Sequence, residues 1–196
     1  TATGNASDIA INAATVSSTS GAIQLVAGRS ITTSTATGTT TELATSGTLL
    51  LDAVDALGTT TNRLDLDVGT VAAQITGAAT TGDIFLNQVD GVRDALTIGT
   101  ATGLDGHADL SGITTANSND ITVVTQAGTL SLSQNVTADR PGPVALPAPG
   151  NATATATNPP TPTSTTAPPH PLHRPSPPPP PDRPPPPQGT APPRQP

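Results

Sequence analysis

Not one proline occurs in the first 140 residues, and all 23 lie between Pro141 and Pro196. Average usage of about 5% would place roughly seven in that first stretch. Proline cannot donate to a β-ladder, so a long proline-free segment rich in Thr, Val and Ile points to continuous strand pairing. The charges divide at the same place, with four Arg and thirteen acids before Pro141, and three Arg and Asp182 alone after it. We therefore read residues 1–140 as a β-repeat region, 141–157 as a degenerate last strand and transition, and 158–196 as a disordered Pro-rich tail with nothing apolar to offset its ordering.

Within the first region a short alternating unit recurs: Asp8-Ile-Ala-Ile11, Ala22-Ile-Gln-Leu25, Arg63-Leu-Asp-Leu66, Asp83-Ile-Phe-Leu86, Asp120-Ile-Thr-Val123 and Thr129-Leu-Ser-Leu132. Period-two alternation marks half-buried strands. Gly21, Gly47, Gly82 and Gly128 each stand before a strand, where a corner turning at positive φ is expected. Gly and Thr interrupt every window that a helix would need. With no Cys, Met, Trp or Tyr and Phe85 as the single aromatic, the core must be thin and aliphatic. These features predict an all-β chain built as a β-solenoid, with a β-sandwich as the alternative. The first apolar residues of the units fall unevenly, at Ile9, Ile23, Leu49, Leu64, Ile84, Leu96, Ile121 and Leu130. An assumed coil of about 20–25 residues gives about six coils and a rod of roughly 30 Å.

The stretch Leu64-Asp-Leu-Asp-Val-Gly-Thr-Val-Ala-Ala73, then Gly82-Asp-Ile-Phe-Leu-Asn-Gln-Val-Asp-Gly91, then Leu96-Thr-Ile98, resembles the repeats of filamentous-haemagglutinin-like large bacterial exoproteins. Gly128-Thr-Leu-Ser-Leu132 with Asn135-Val-Thr-Ala138 looks like the next repeat. The resemblance covers about residues 1–150. It implies a right-handed parallel β-helix, export to the bacterial surface through an outer-membrane partner, and adhesion of the parent protein to host or neighbouring-cell molecules. After Ala138 the pattern departs, because Val144-Ala-Leu146 is bracketed by Pro143 and Pro147, and regular coiling is expected to end near Thr137. The chain has no Met even at position 1 and reads as a segment, whose uncapped ends would favour self-association.

Other partner classes are disfavoured. An acidic chain without a basic stripe is a poor nucleic-acid binder. No apolar run reaches the roughly 18 residues of a membrane span, and no membrane insertion is expected. A phage or surface-layer fibre would share the fold.

Candidate chemistry is sparse. Asp105, His107 and Asp109 alternate and on a strand would share a face, as metal ligands must, but the trio lacks a fourth ligand and is read as a solvated polar face beside a Gly turn. Asp65 and Asp67 alternate with Leu64, Leu66 and Val68 and are read as outward, solubilising charge rather than a Ca²⁺ site. Some parallel β-helices are polysaccharide lyases or glycosidases, which need at least a carboxylate pair; Asp65, Asp67, Asp83 and Asp90 are the acids available near the repeats. Phe85, between Ile84 and Leu86, is expected to face outward and exposed, too little for a sugar platform. There is no Lys, no Cys and no Gly-x-Ser-x-Gly elbow. We expect no catalytic activity and no cofactor. The sequons at Asn5, Asn135 and Asn151 are incidental in so Thr-rich a chain. Arg174-Pro-Ser-Pro-Pro-Pro-Pro180 and Pro178-Pro-Pro-Pro-Asp-Arg183 match both orientations of a polyproline II ligand, as any polyproline run beside an arginine does; the tail is read instead as a stiff extended spacer, with a frameshift product as a third reading.

Overall fold

The computed structural model describes residues 7–77, 82–116, 119–139 and 142–148, and the backbone of 153–156 and 163–164. Every element among them is a strand. The first turn holds β1 (Ile9–Ile11), β2 (Val16–Ser18) and β3 (Ile23–Ala27); the second β4 (Ser30–Thr33) and β5 (Leu43–Ala53); the third β6 (Ala56–Leu57) and β7 (Leu64–Ile75). The fourth begins with β8 (Ile84–Gln88) and β9 (Leu96–Ile98), is interrupted by β10 (Thr100–Ala101) and β11 (Leu110–Ser111), and resumes as β12 (Ile113–Thr115). The fifth holds β13 (Ile121–Thr125), β14 (Thr129–Leu132) and β15 (Val136–Ala138), and β16 (Val144–Ala145), β17 (Thr153–Ala156) and β18 (Thr163–Ser164) lie on it.

The alternating units become these strands because each points its aliphatic residues to one side, and stacking turns buries that side. Ile9 pairs with Ile31, Ile31 with Leu57, Leu57 with Ile84, Ile84 with Ile121 and Ile121 with Val144, all in parallel. Five steps at roughly 4.8 Å make a column of about 24 Å. A second column runs Ile23, Leu49, Val71, Ile98 and Leu132, and a third Leu25, Leu51, Ala73, Ile113 and Val136. Together they form one continuous interior of Ile, Leu, Val and Ala. The chain is thus a β-solenoid of about five turns, and the parallel pairing sets the sandwich alternative aside. A fourth inward column changes character as it rises: Val16, Leu43 and Leu66 are followed by Gln88 and Thr125. The Gln88 side-chain amide is held by the Val68 backbone (Nε2 to O, 3.1 Å) and by the Arg93 carbonyl, whereas the buried Thr125 hydroxyl has no partner among the described residues.

Along the first column the steps from Ile9 are 22, 26, 27, 37 and 23 residues. The long step has a local cause. Thr70 and Val71 of β7 pair with Thr97 and Ile98, whereas Ala73 and Gln74 pair with Ile113 and Thr114. Strands β9 and β12 are therefore two halves of one strand, and opposite Ala72 the chain leaves as Gly99 and returns as Gly112. The neck is closed by Gly112 N donating to Gly99 O at 2.8 Å, while Gly99 N donates to Val71 O and Ala73 N to Gly112 O, both at 3.0 Å. The layer above bulges around it: Leu132 and Val136 sit over Ile98 and Ile113, and the three residues Ser133–Asn135 stand where one would suffice.

Three expectations need correction. Of the four corner glycines only Gly128 has positive φ, at 69°. Gly82 is needed for close approach, since a Cβ there would run into the Asp55 carbonyl of the layer below, and Gly47 lies in a β5 bulge against Gly21 O. The ladder also continues past Thr137. Pro143 and Pro147 forfeit their donors but keep their carbonyls, which accept Ile121 N at 3.0 Å and Thr125 N at 3.3 Å. Phe85 points away from the interior, as alternation requires, yet is only 8% exposed. Apart from the backbone of 163–164, the tail expected to be disordered lies outside the described residues.

Candidate functional site

Alternation aims Asp65 and Asp67 of β7 away from the aliphatic interior, but outward is not solvent here. Asp65 is 0% and Asp67 7% exposed, which corrects the reading of both as solubilising charge. Loops fold back over the sheet and supply the donors that a buried carboxylate requires. Gly38 N donates to Asp65 Oδ2 at 2.5 Å, with the Thr39 and Thr40 amides directed at the same group. On the other oxygen Asn87, its register partner one layer on, donates Nδ2 at 2.6 Å. Glu42, fully buried beside it, accepts Asp65 N on Oε2 at 2.6 Å and Thr33 Oγ1 on Oε1 at 2.9 Å. Burial pushes both carboxyls above their ordinary range, against the pull of these donors, and the charge of Asp65 adds to the rise at Glu42. Asp67 binds the next loop, accepting Arg93 N at 2.8 Å and pairing with Arg93 Nη1 at 3.3 Å. The oxygens of Asp65 and Glu42 face donors, an arrangement that holds anions and staples loops rather than one that gathers lone pairs around a cation.

The hairpin Gly99–Gly112 carries the sequence-derived metal trio and separates it. Asp105 (φ 52°) and Gly106 (φ 82°) make the tip of a tight turn closed by His107 N donating to Leu104 O at 3.0 Å. Asp105 is exposed, and Asp109 Oδ1 accepts Gly103 N at 2.9 Å. His107 turns to the solenoid wall, where Nε2 lies 2.8 Å from Asp52 Oδ2 of β5. Among the described residues no group of three or more His, Asp or Glu could hold a metal. What holds the hairpin down is an apolar patch of Ala101 and Leu110 on Leu50 and Ala72, and a two-way amide contact: Leu104 N donates to Gln24 Oε1 at 2.6 Å and Gln24 Nε2 to Leu104 O at 3.3 Å. Gln24 and Asp52 carry no motif; their outward, alternating positions on β3 and β5 were the only signal available for them.

The acids considered for sugar chemistry are dispersed among separate partners. Asp65 serves Asn87 and the Gly38 loop, Asp67 serves Arg93, and Asp90 is exposed. Asp83 meets a different acid, Asp120 of the next layer, accepting Asp120 N on Oδ1 at 2.8 Å. Burial first, and then the charge of Asp83, pushes the Asp120 carboxyl up. Beside Asp83 a pocket of about 210 Å³ is lined by Ala56, Gly58, Thr59, Thr60 and Phe85. Asn135 is exposed at the corner before β15, and Asn5 and Asn151 lie outside the described residues, as do the Arg-Pro motifs of the tail. No helix among the described residues is long and apolar enough to cross a membrane. Comparison of the chain with protein-family models, with characterised proteins and with solved structures found no match.

Proposed function

We propose that this chain is a structural repeat segment of a large, secreted, surface-exposed bacterial adhesin and that it performs no catalysis. The observation that carries the reading is the register itself: five parallel steps stack like on like, and the outward acids of β7 are spent on the chain's own loops. A stack in which the strands of each turn pair only with those of the neighbouring turns sets length and spacing, which is what a surface fibre needs. The repeats at Leu64–Ala73 and Gly82–Gly91 supply the link to filamentous-haemagglutinin-like exoproteins; host or neighbouring-cell molecules and an outer-membrane exporter are then partners of the parent protein. Antibody raised against the chain tests this on intact producing cells. Surface labelling that is lost after external protease treatment supports the reading, and labelling only after lysis overturns it.

One observation favours a second class, a carbohydrate-active fragment: the stacked Asp83 and Asp120 beside the Phe85 pocket. Release of reducing ends from a polysaccharide panel, abolished by Asp83→Asn or Asp120→Asn, would select it. Labelling of phage particles or of a surface lattice by the same antibody would select the fibre alternatives.

A further inference from the structure

We propose that the Gly99–Gly112 hairpin is a strap over the solenoid wall, held shut by a doubly protonated His107 ring and released when that ring loses a proton. The geometry is unusual for a neutral imidazole. Both ring nitrogens face oxygens that can only accept: Nδ1 lies 2.8 Å from the Ala108 carbonyl and Nε2 2.8 Å from Asp52 Oδ2. A neutral ring has one N–H and can serve one of them, whereas the imidazolium serves both. The pair is only partly open to water, with side chains 20% and 16% exposed.

The groups around the ring leave this contact in control. Asp52 faces it from β5. The register neighbours of Asp52 on β3 and β7 are Val26 and Gln74, both uncharged, and Gln24 lies two positions before Val26. On the hairpin itself Asp105 and Asp109 are exposed, and Asp109 is engaged by Gly103 N. The Ala108 carbonyl, and then the bond and charge of Asp52, hold the ring above its ordinary value, with burial opposing.

When the ring gives one proton to solvent, either Ala108 O or the Asp52 carboxylate is left facing a nitrogen lone pair. Among the described residues the hairpin is then retained by Gln24, by the patch of Leu50, Ala72, Ala101 and Leu110, and by at most one uncharged ring N–H shared between Ala108 O and Asp52. Because the docked ring binds its proton more tightly, the added closure is fully present below the free histidine value of about 6.5 and is lost as pH rises through the raised value. Opening uncovers Leu50 and Ala72, so the strap shields an apolar strip of wall in acid and offers it above neutrality.

The test uses the full chain, isotopically labelled, followed by NMR. His107 ring signals are assigned against His107→Gln, which separates them from His170 and His173. At about pH 5.5 both ring nitrogens should carry protons. The methyl cross-peak between Leu50 and Leu110 should weaken, and protection of the Leu104 amide, corrected for intrinsic exchange, should fall about tenfold between about pH 6 and pH 9. Asp52→Asn should abolish that fall, whereas Gln24→Ala should lower protection at every pH and keep it. Protection flat with pH, a fall that persists in His107→Gln, or a single neutral tautomer at about pH 5.5 would each overturn the proposal.

Discussion

Replacing Gly99–Gly112 by one serine should leave a folded solenoid, although fourteen residues including two strands are removed. Ile98 and Ile113 sit over Val71 and Ala73, so a single residue between them completes a continuous strand against β7. The 37-residue step from Ile84 to Ile121 becomes 24 residues, inside the 22–27 of the other turns. The losses are the cover over Leu50, about 2–3 kcal/mol, and over Ala72, under about 1 kcal/mol. The contacts of Gln24 and Asp52 add about 0.5–1.5 kcal/mol each if fully formed, and less where water competes. Against this, closing a 14-residue loop costs about 2.3 kcal/mol, from (3/2)RT ln 14, and that cost disappears. Relief from ordering the hairpin backbone, about 1–2 kcal/mol per residue, offsets the hairpin's own internal contacts. The net change should be a loss of about 1–4 kcal/mol. Urea unfolding followed by far-UV circular dichroism measures it. A variant destabilised by more than about 4 kcal/mol, or without a cooperative transition, would show that the hairpin is part of the fold and that β9 and β12 are not halves of one strand.

Gly82→Ala should cost about 1–3 kcal/mol in the same assay through collision with the Asp55 carbonyl, although its φ is ordinary. Gly106→Ala, in open space, should cost only the about 1–2 kcal/mol of its positive φ. Stability should rise on mild acidification from neutrality: Glu42 and Asp65 have raised carboxyl values, so the folded state binds protons that the unfolded state does not, and stability is gained as pH falls through the folded values toward the unfolded ones. Urea midpoints measured from about pH 7 to pH 5 check the sign, and Glu42→Gln should flatten the slope. Asp67→Ala should orphan the Arg93 amide and guanidinium at a cost of about 1–3 kcal/mol, with faster hydrogen exchange at Val92 and Arg93.

The strands were legible because a strand's side chains alternate regardless of what it packs against. Asp8-Ile-Ala-Ile11 and Asp120-Ile-Thr-Val123 could be placed from that rule alone. What covers the outer face was not legible, since alternation gives a direction and says nothing of the loops that return over it. Asp65, Asp67 and Phe85 were all aimed correctly and all judged too exposed for this reason. The corner glycines were misread at Gly21, Gly47 and Gly82 because two needs, positive φ and close approach, favour the same residue. The hairpin was hidden in the uneven spacing between Leu96 and Ile121, where His107 read as part of a solvated polar face beside a Gly turn; its partner Asp52 stands 55 positions away, beyond any local pattern. The proline bracket suggested an end near Thr137 because a missing donor is visible in sequence and a retained carbonyl is not.

The change from Leu66 to Gln88 and Thr125 within one inward column bears on how the rod carries load. Apart from the hairpin's contacts with Gln24, Leu50 and Asp52, turns in such a stack are joined to their neighbours, so stability is close to a sum over successive contacts. Aliphatic residues meet across the first contacts of that column, an amide tied to backbone follows, and then a hydroxyl with no partner among the described residues. Drawn out between its ends, the chain should yield first at the contact between β8 and β13, paying out the later layers while the turns around Leu43 and Leu66 stay wound. Single-molecule extension would record this as an early release of contour length, and substituting Thr125 with Val should raise the force at which it occurs.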